Sequence, residues 1–490
     1  MLCKSDVMRD RCFKILHILL ILLIIIMIVG ACYVKINFSL VNFEEVIFSL
    51  KDGTEDVDLG IFSYAIKVCL PFIIVLFVIL YTLFYSSRVS IKLVKNHRKM
   101  CTCFLLFIAL VLLVWCVNLS DYVLCSNSKS DFIEKNYVNP VEKKVTFDKK
   151  RNLVFIVVES LETSLFEKDN GGYWNYSVMP ELYDLLNDED AVVFHDNNKA
   201  QTLNMIQGSS WTTASVISNS SGLPFKVSFD DYFSSSGSLS GAYTLGDLLK
   251  DNGYYNEVIS AANTSFGDLQ EYFTKHGKYE IIDFHSLDKY NLKMNDKDIG
   301  KWGFNDNYLF ETAKKRLDLI SKKNEPFNLE LITIDTHFMD GFVGDYSETK
   351  YKTQYENAYA TESKLIYNFV NWIKKQSYYK DTTIVIMGDH LSMQSNFFRK
   401  RNVGDRYVYS CIINPIKKDA NNTNRIVTSL DTFPTIVSSI GGDIEGDRLG
   451  LGVNLFSNKK TLAEEYGIKK LNTELKKKSN FYNNEFKNNK

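Results

Sequence analysis

The chain is poor in cysteine where a large outer domain would need it for bracing, almost without net charge, and free of long apolar runs over its last three quarters. Eight of its nine cysteines stand at or before Cys125, and only Cys411 lies beyond. No disulfide framework or cysteine-rich zinc site can therefore hold the larger part of the chain together. The stretch from residue 151 onward, about 340 of the 490 residues, is long enough for a self-sufficient core. A net charge of −1 points to neither nucleic acid nor strongly acidic substrates as partners.

Apolar runs are concentrated in the first quarter, roughly Ile15 to Val34, Val68 to Tyr85 and Cys103 to Leu119. Each approaches the ~20 residues that a bilayer-spanning helix needs. Lys4, Arg9, Arg11 and Lys14 precede the first run. The first loop is acidic, with Glu44, Glu45, Asp52, Glu55, Asp56 and Asp58, and the second is basic, with Arg88, Lys92, Lys95, Arg98 and Lys99. Basic loops stay in the cytoplasm, so an in-out-in-out path places everything after about residue 120 on the outer face of the membrane. The other reading of the first run is a processed leader, since "VGAC" at Val29 to Cys32 loosely resembles a lipoprotein cleavage box. Two further spans, and a glycine that suits a transmembrane helix equally well, favour retention.

Four regions follow: a membrane region over 1–125, a polar linker over 126–150, an outer domain over 151–457, and a lysine-rich tail over 458–490. The tail reads as a solvated helix followed by disorder, with contact to anionic lipid as the alternative. Within the domain, "NLVFIVVES" (152–160), "FNLELITIDTHF" (327–338) and "TTIVIMGDH" (382–390) are short apolar runs suited to strands buried on both faces of a parallel sheet. "AVVFHDNN" (191–198) is a further strand candidate, and "VMPELYDLLND", "YTLGDLLKDNG" and "YENAYATESKLIYNFVNWIKKQ" read as amphipathic helices. The fold class is α/β, with a central, mostly parallel sheet.

Each apolar run ends in chemistry: Glu159 after the first, Asp335, Thr336 and His337 after the second, Asp389 and His390 after the third. An acid after a strand is commonly only a cap or turn residue. Three such ends in one domain point instead to a site outside the carboxyl edge of the sheet. The hydroxyl-rich stretch "QGSSWTTASVISNSSGLPF" (207–225) carries a short helix from Thr212 towards Gly222. That places Thr212 or Thr213 at a helix N-terminus, where a phosphate is favoured.

Glu159, Asp389, His390 and a threonine oxygen would offer a divalent cation three oxygens and one nitrogen. Mn²⁺ or Mg²⁺ suits that set better than Zn²⁺. The metal-bound threonine would then be a nucleophile, and His337 would bind the phosphate or pass a proton to the leaving oxygen. Trp302 and Asp306, in "KWGFNDNYLF", and Trp211 are candidates for substrate contact, with packing as the plainer role for a tryptophan beside a helix start.

"NLVFIVVESLE", "GSSWTTASVIS", "LITIDTHFMDGF", "MGDH" and "DTFPTIVSSIGGD" together resemble the sulfatase-like branch of the alkaline phosphatase superfamily, in particular bacterial phosphoglycerol transferases and lipoteichoic acid synthases. The resemblance covers about residues 150 to 456. It implies a metal site of Glu159, Thr212, Asp389 and His390, with Thr212 as nucleophile and Thr213 as the register alternative. It further implies phosphatidylglycerol as donor, a covalent phosphoglycerol ester on the threonine, and an extracytoplasmic glycan or glycolipid as acceptor. The Cys/Ser-x-Pro-x-Arg motif of true sulfatases is absent. Gly267, Asp268 and Leu269 stand where lipoteichoic acid synthases carry a Trp-x-Arg element, which argues against chain polymerisation. Phosphoethanolamine transfer, phosphodiester hydrolysis and a catalytically inert glycan-binding scaffold are the alternatives.

Overall fold

In a computed structural model the described residues are 2–38, 40–52, 59–86, 96–228, 238–416 and 423–487. They fall into two compact units, Met1–Val46 with Asp58–Val123, and Ile47–Val57 with Leu124–Lys490.

The first unit is helical. It holds α1 (Leu2–Asn37), the first turn of α2 (Phe43–Asp52), α3 (Leu59–Tyr85) and α4 (Arg98–Cys116), while the rest of α2 belongs to the second unit. Three helical stretches are long and apolar enough to cross a membrane, Asp10–Asn37, Ser63–Tyr85 and Arg98–Cys116. The protein is accordingly a membrane protein. Ile21 and Ile25 of α1 pack with Phe84 of α3, while most other apolar side chains of the spans face outward, as a lipid-facing surface must. Of the loop charges, Glu55, Asp56, Asp58, Arg88, Lys92 and Lys95 lie outside the described residues.

The second unit is built on a seven-stranded sheet. Its strands are β1 (Asn152–Val158), β2 (Ala191–Val192), β3 (Tyr255–Ser260), β4 (Glu280–Ile282), β5 (Phe327–Ile332), β6 (Thr382–Gly388) and β7 (Ser410–Ile413), in the spatial order β2-β7-β6-β1-β5-β3-β4. The neighbours from β6 through β4 are all parallel. β7 runs antiparallel to β6, and β2 antiparallel to β7. The three apolar runs read from the sequence are thus the three central strands. Val154, Ile156 and Val158 of β1 enter the main core with Leu309 and Leu317 of α6 (Asp306–Ile320) and Ile366 and Phe369 of α7 (Gln354–Lys374). Leu153, Phe155 and Val157 are equally buried on the opposite face, which is why β1 shows no alternation. The strand expected over 191–198 is only two residues long, because the chain leaves the sheet for the bridge His195 makes with Asn424.

Two expectations need correction. The linker is docked rather than free. Val145–Phe147 pairs antiparallel with Gly442–Ile444, Phe132 and Ile133 are buried, and Ser130 Oγ donates to Glu474 Oε2 at 2.7 Å. The lysine-rich tail is not a solvated helix with disorder beyond it. Leu462–Tyr466 and α8 (Ile468–Lys476) fold against the domain and bury Leu471, Leu475, Tyr482 and Phe486. Residues 488–490 lie outside the described residues. The lysines flank an apolar i, i+4 pair, Leu471 and Leu475, that finds a tertiary partner. Replacing fully buried Leu475 with alanine is expected to cost about 2–4 kcal/mol, read as a lowered Tm of the detergent-solubilised chain; a solvated tail would leave the Tm unchanged.

Candidate metal and phosphate site

Parallel neighbours fix the site before any side chain is considered. In the β1–β6 ladder Val158 stands opposite Gly388, so Glu159 and Asp389 leave the sheet side by side. Gly388 is required there, since a Cβ would lie 2.0 Å from Leu161 O. The Asp389 N–H donates to Val158 O at 2.9 Å, and the Glu159 N–H donates to Thr333 Oγ1, just past β5, at 3.0 Å. Thr336 Oγ1 donates to Glu159 O. Three strand ends are stitched together by backbone groups and two threonine hydroxyls.

Glu159, Asp389 and His390 are buried, and each offers a ligand atom within 4.8 Å of the others. His390 Nδ1 faces Leu391 O at 2.9 Å, so this nitrogen carries the proton and Nε2 keeps its lone pair. Nε2 lies 3.3 Å from Asp389 Oδ2 and 3.7 Å from Glu159 Oε1. Asp389 Oδ1 accepts from Ser160 N at 2.7 Å and His390 N at 2.6 Å, whereas the buried Oδ2 has no hydrogen-bond partner among the described residues. Burial, and then the Glu159 carboxylate, raise Asp389 well above the usual carboxylate range. Two buried carboxylates, an imidazole lone pair and an unsatisfied oxygen aimed between them form a cradle for a divalent cation.

The helix expected from Thr212 is present as α5 (Thr212–Ser221), with Trp211 at its N-cap and Gly222, at φ 66°, ending it in the left-handed conformation. Thr212 Oγ1 donates to Glu159 Oε2 at 3.2 Å, while Thr213 Oγ1 donates to Gly267 O at 3.0 Å. The first threonine faces the cluster and the second is turned into packing. The α5 backbone is tied to the same strand end by Ser215 Oγ, which donates to Asp389 O at 2.5 Å.

His337 follows β5 at the rim. Its Nδ1 contacts Phe338 O at 2.6 Å, and its ring meets the Trp302 indole edge to face, centroids 4.7 Å apart. Burial pushes its pKa down to about 4. The ring is therefore neutral, with Nδ1–H turned to Phe338 O and Nε2 left as an acceptor. Lys301 Nζ lies 4.6 Å above the Trp302 ring.

Two proposed contact residues are placed elsewhere. Asp306 is fully buried, and its carboxylate accepts from the N–H groups of Ile334 and Asp335 at 2.9 and 2.7 Å. It shapes the turn that carries His337 and does not reach the rim. Burial, and then neighbouring carboxylates, hold Asp306 and Asp335 well above their ordinary range. Trp211 is also buried, packed against Phe48 and Phe225 at 5.8 and 6.0 Å, so it braces the start of α5 without lining an open surface.

Sequence reasoning missed Ser160 and Phe48. Ser160 adopts φ 52°, an unusual left-handed conformation for a serine. This bend brings its N–H onto Asp389, its Oγ onto Glu159 Oε1 at 2.6 Å, and its carbonyl under the Tyr359 hydroxyl at 2.8 Å. The only signal was a serine directly after a strand-end acid. Phe48 comes from the first loop, and nothing in that loop announces a partner 163 residues away.

A family model described as Sulfatase matches residues 151–441. Phosphoglycerol transferase I of Escherichia coli strain SMS-3-5 is 29% identical over 318 residues, 62% of this chain and 39% of that protein. Phosphoglycerol transferase I of Salmonella choleraesuis strain SC-B67 is 28% identical over 322 residues, 63% of this chain and 39% of that protein. The chain thus spans about two fifths of the length of the curated relatives it matches. Among solved structures, the integral membrane protein lipooligosaccharide phosphoethanolamine transferase A (EptA) from Neisseria meningitidis shares the fold. Its TM-score is 0.50 at 13% identity, over 87% of this chain and 84% of that one.

Calorimetric titration of the purified chain with Mn²⁺ is expected to show one site that Glu159→Gln or His390→Ala removes. Ser160→Ala should weaken it roughly 10-fold, as loss of a group that orients a ligand does. Unchanged affinity in all three variants would exclude the cluster as the metal site.

Proposed function

Because the chain belongs to the sulfatase family and presents a threonine hydroxyl to a buried acid–imidazole cluster, we propose that it transfers phosphoglycerol. The donor is phosphatidylglycerol, and the acceptor is an extracytoplasmic glycan or glycolipid. The observation that carries this reading is the 3.2 Å hydrogen bond from Thr212 Oγ1 to Glu159 Oε2 at the N-terminus of α5.

Glu159, Asp389, His390 and Thr212 would hold a divalent cation, with Mn²⁺ suiting the oxygen-rich set, and its charge would acidify the hydroxyl and polarise the phosphoryl group. The free N-terminal end of α5 adds its dipole to the phosphate site. Thr212 Oγ forms a bond to phosphorus as the bond to the diacylglycerol oxygen breaks, and the proton lost by the threonine balances the one the diacylglycerol gains. An acceptor hydroxyl then attacks the same phosphorus, and its proton returns to Thr212 Oγ. Neutral His337, with an unprotonated Nε2, is suited to accept and hand on these protons. Trp302, half-buried beside His337, provides a flat face for glycerol or sugar.

Gly267 has φ 71°, and a Cβ there would sit 2.4 Å from Thr213 Oγ1. The Trp-x-Arg grip of lipoteichoic acid synthases therefore has no room at this point, which favours single transfers over polymerisation. The charge pattern of the loops supports an outward-facing domain. The packing of Phe48, from the loop between the first two spans, against Trp211 supports a common side for that loop and the domain. An anchored enzyme also meets its lipid donor at high local concentration.

In mixed micelles of phosphatidylglycerol with Mn²⁺, diacylglycerol release is expected to fall at least ~10³-fold in Thr212→Ala and roughly 10²–10⁴-fold in His337→Ala. Thr213→Ala should retain most of the rate. Wild-type turnover by Thr212→Ala would reject the proposed function.

A further inference from the structure

The three spans of the membrane unit meet in a polar node. His17 of α1 contacts the Tyr85 hydroxyl of α3 through Nδ1 at 2.5 Å and Thr102 Oγ1 of α4 through Nε2 at 2.7 Å. Thr102 Oγ1 gives its one proton to Arg98 O at 2.9 Å. It must therefore accept from His17 Nε2–H, and the Tyr85 hydroxyl must donate to Nδ1. The node is complete with a neutral imidazole and ties the middle of α1 to the last turn of α3 and the first turns of α4. Ionisable groups inside an apolar bundle are costly and mark function by default.

Cations gather on the same tyrosine. Lys14 Nζ lies 5.0 Å and Arg98 Cζ 5.3 Å from the centroid of the Tyr85 ring. These groups wall a cavity of about 1010 Å³ that follows α1 from Asp10 to Leu20. Among the described residues its polar lining holds Lys14, Arg98 and Lys99 with one carboxylate, Asp10, while Phe13, Leu16 and Leu20 line the remainder. Met100 also lines a second groove of about 440 Å³, together with Leu80, Leu83, Phe84, Phe104 and Leu105. A cationic mouth with one apolar trough and a second trough sharing Met100 has the outline of a two-chain amphiphile with a negative head.

We propose that this groove is a specific site for an anionic diacyl phospholipid. Its phosphate lies against Lys14 and Arg98, one chain along Leu16 and Leu20, and the other in the groove beyond Met100. Basic pockets between spans recognise such headgroups by charge and hydrogen bonding, and here the His17 node holds the cations in place through Tyr85 and Arg98. The site involves none of the residues assigned to phosphoryl transfer.

The test uses the full chain carrying Thr212→Ala, so that turnover cannot consume the lipid. After delipidation in mild detergent it is mixed with dioleoyl phosphatidic acid or with dioleoyl phosphatidylcholine, and retained lipid is counted by native mass spectrometry. Phosphatidic acid is expected to be retained in preference. Adding Lys14→Ala and Arg98→Ala should reduce that preference roughly 30-fold, and Arg98→Lys should preserve most of it. Excess inorganic phosphate should not displace the lipid. Phosphatidic acid should also raise the Tm of the unaltered chain while phosphatidylcholine does not, a readout independent of whether the double variant folds. Equal retention of both lipids, displacement by phosphate alone, or no differential Tm shift would overturn the proposal.

Discussion

Two carboxylates and an imidazole brought together at one buried strand end are the constraint on which the rest of the domain depends. Adjacent parallel strands in matched register bring Glu159 and Asp389 out together, and no rearrangement short of breaking the sheet would separate them. Burial, and then the neighbouring Glu159 carboxylate, work against the charge of Asp389. Asp389 Oδ2, without a hydrogen-bond partner among the described residues, and the lone pair of His390 Nε2 are the complement of that cost, since a divalent cation would relieve the repulsion and could take both atoms as ligands.

Much of the surrounding structure holds this arrangement in place. The left-handed bend at Ser160 is stabilised from above by Tyr359 on α7 and from the sides by both carboxylates. Ser215 ties α5 to the Asp389 carbonyl, so the nucleophile helix cannot drift from the ligand beside it. Below the loop, buried Glu162 is paired bidentately with Arg406 and accepts from Ser392 N, anchoring the segments after β1 and β6 to each other. The stretch 207–226 is braced from outside the sheet as well. Gln207 N donates to Asn472, and Lys226 Nζ to Lys477 O, each at 2.7 Å. The docked C-terminal helices therefore support the segment that carries Thr212.

What could be read in the sequence was whatever depends on local pattern. Strands buried on both faces write themselves as apolar runs, so β1, β5 and β6 and the polar residues ending them were legible, as were the start of α5 and its terminating Gly222. Long-range partners leave no such trace. The docking of 126–150 rests on a three-residue strand that finds its mate nearly 300 residues later, and the tail shows only Leu471 and Leu475 among lysines. Asp306 and Trp211 looked like rim residues because polar and aromatic side chains near a site usually are. Whether a carboxylate turns outward or caps the next strand's turn is decided by α6 packing beside β5, which no local pattern encodes.

The covalent step is the most direct point of contact with experiment. The full chain is incubated with phosphatidylglycerol and Mn²⁺, quenched and digested, and the peptide spanning Thr212 and Thr213 is weighed and fragmented. The expected result is a phosphoglycerol ester on Thr212, formed together with released diacylglycerol and absent when the metal is chelated. Diacylglycerol release with no adduct on Thr212, or with the adduct on Thr213, would contradict the proposed chemistry.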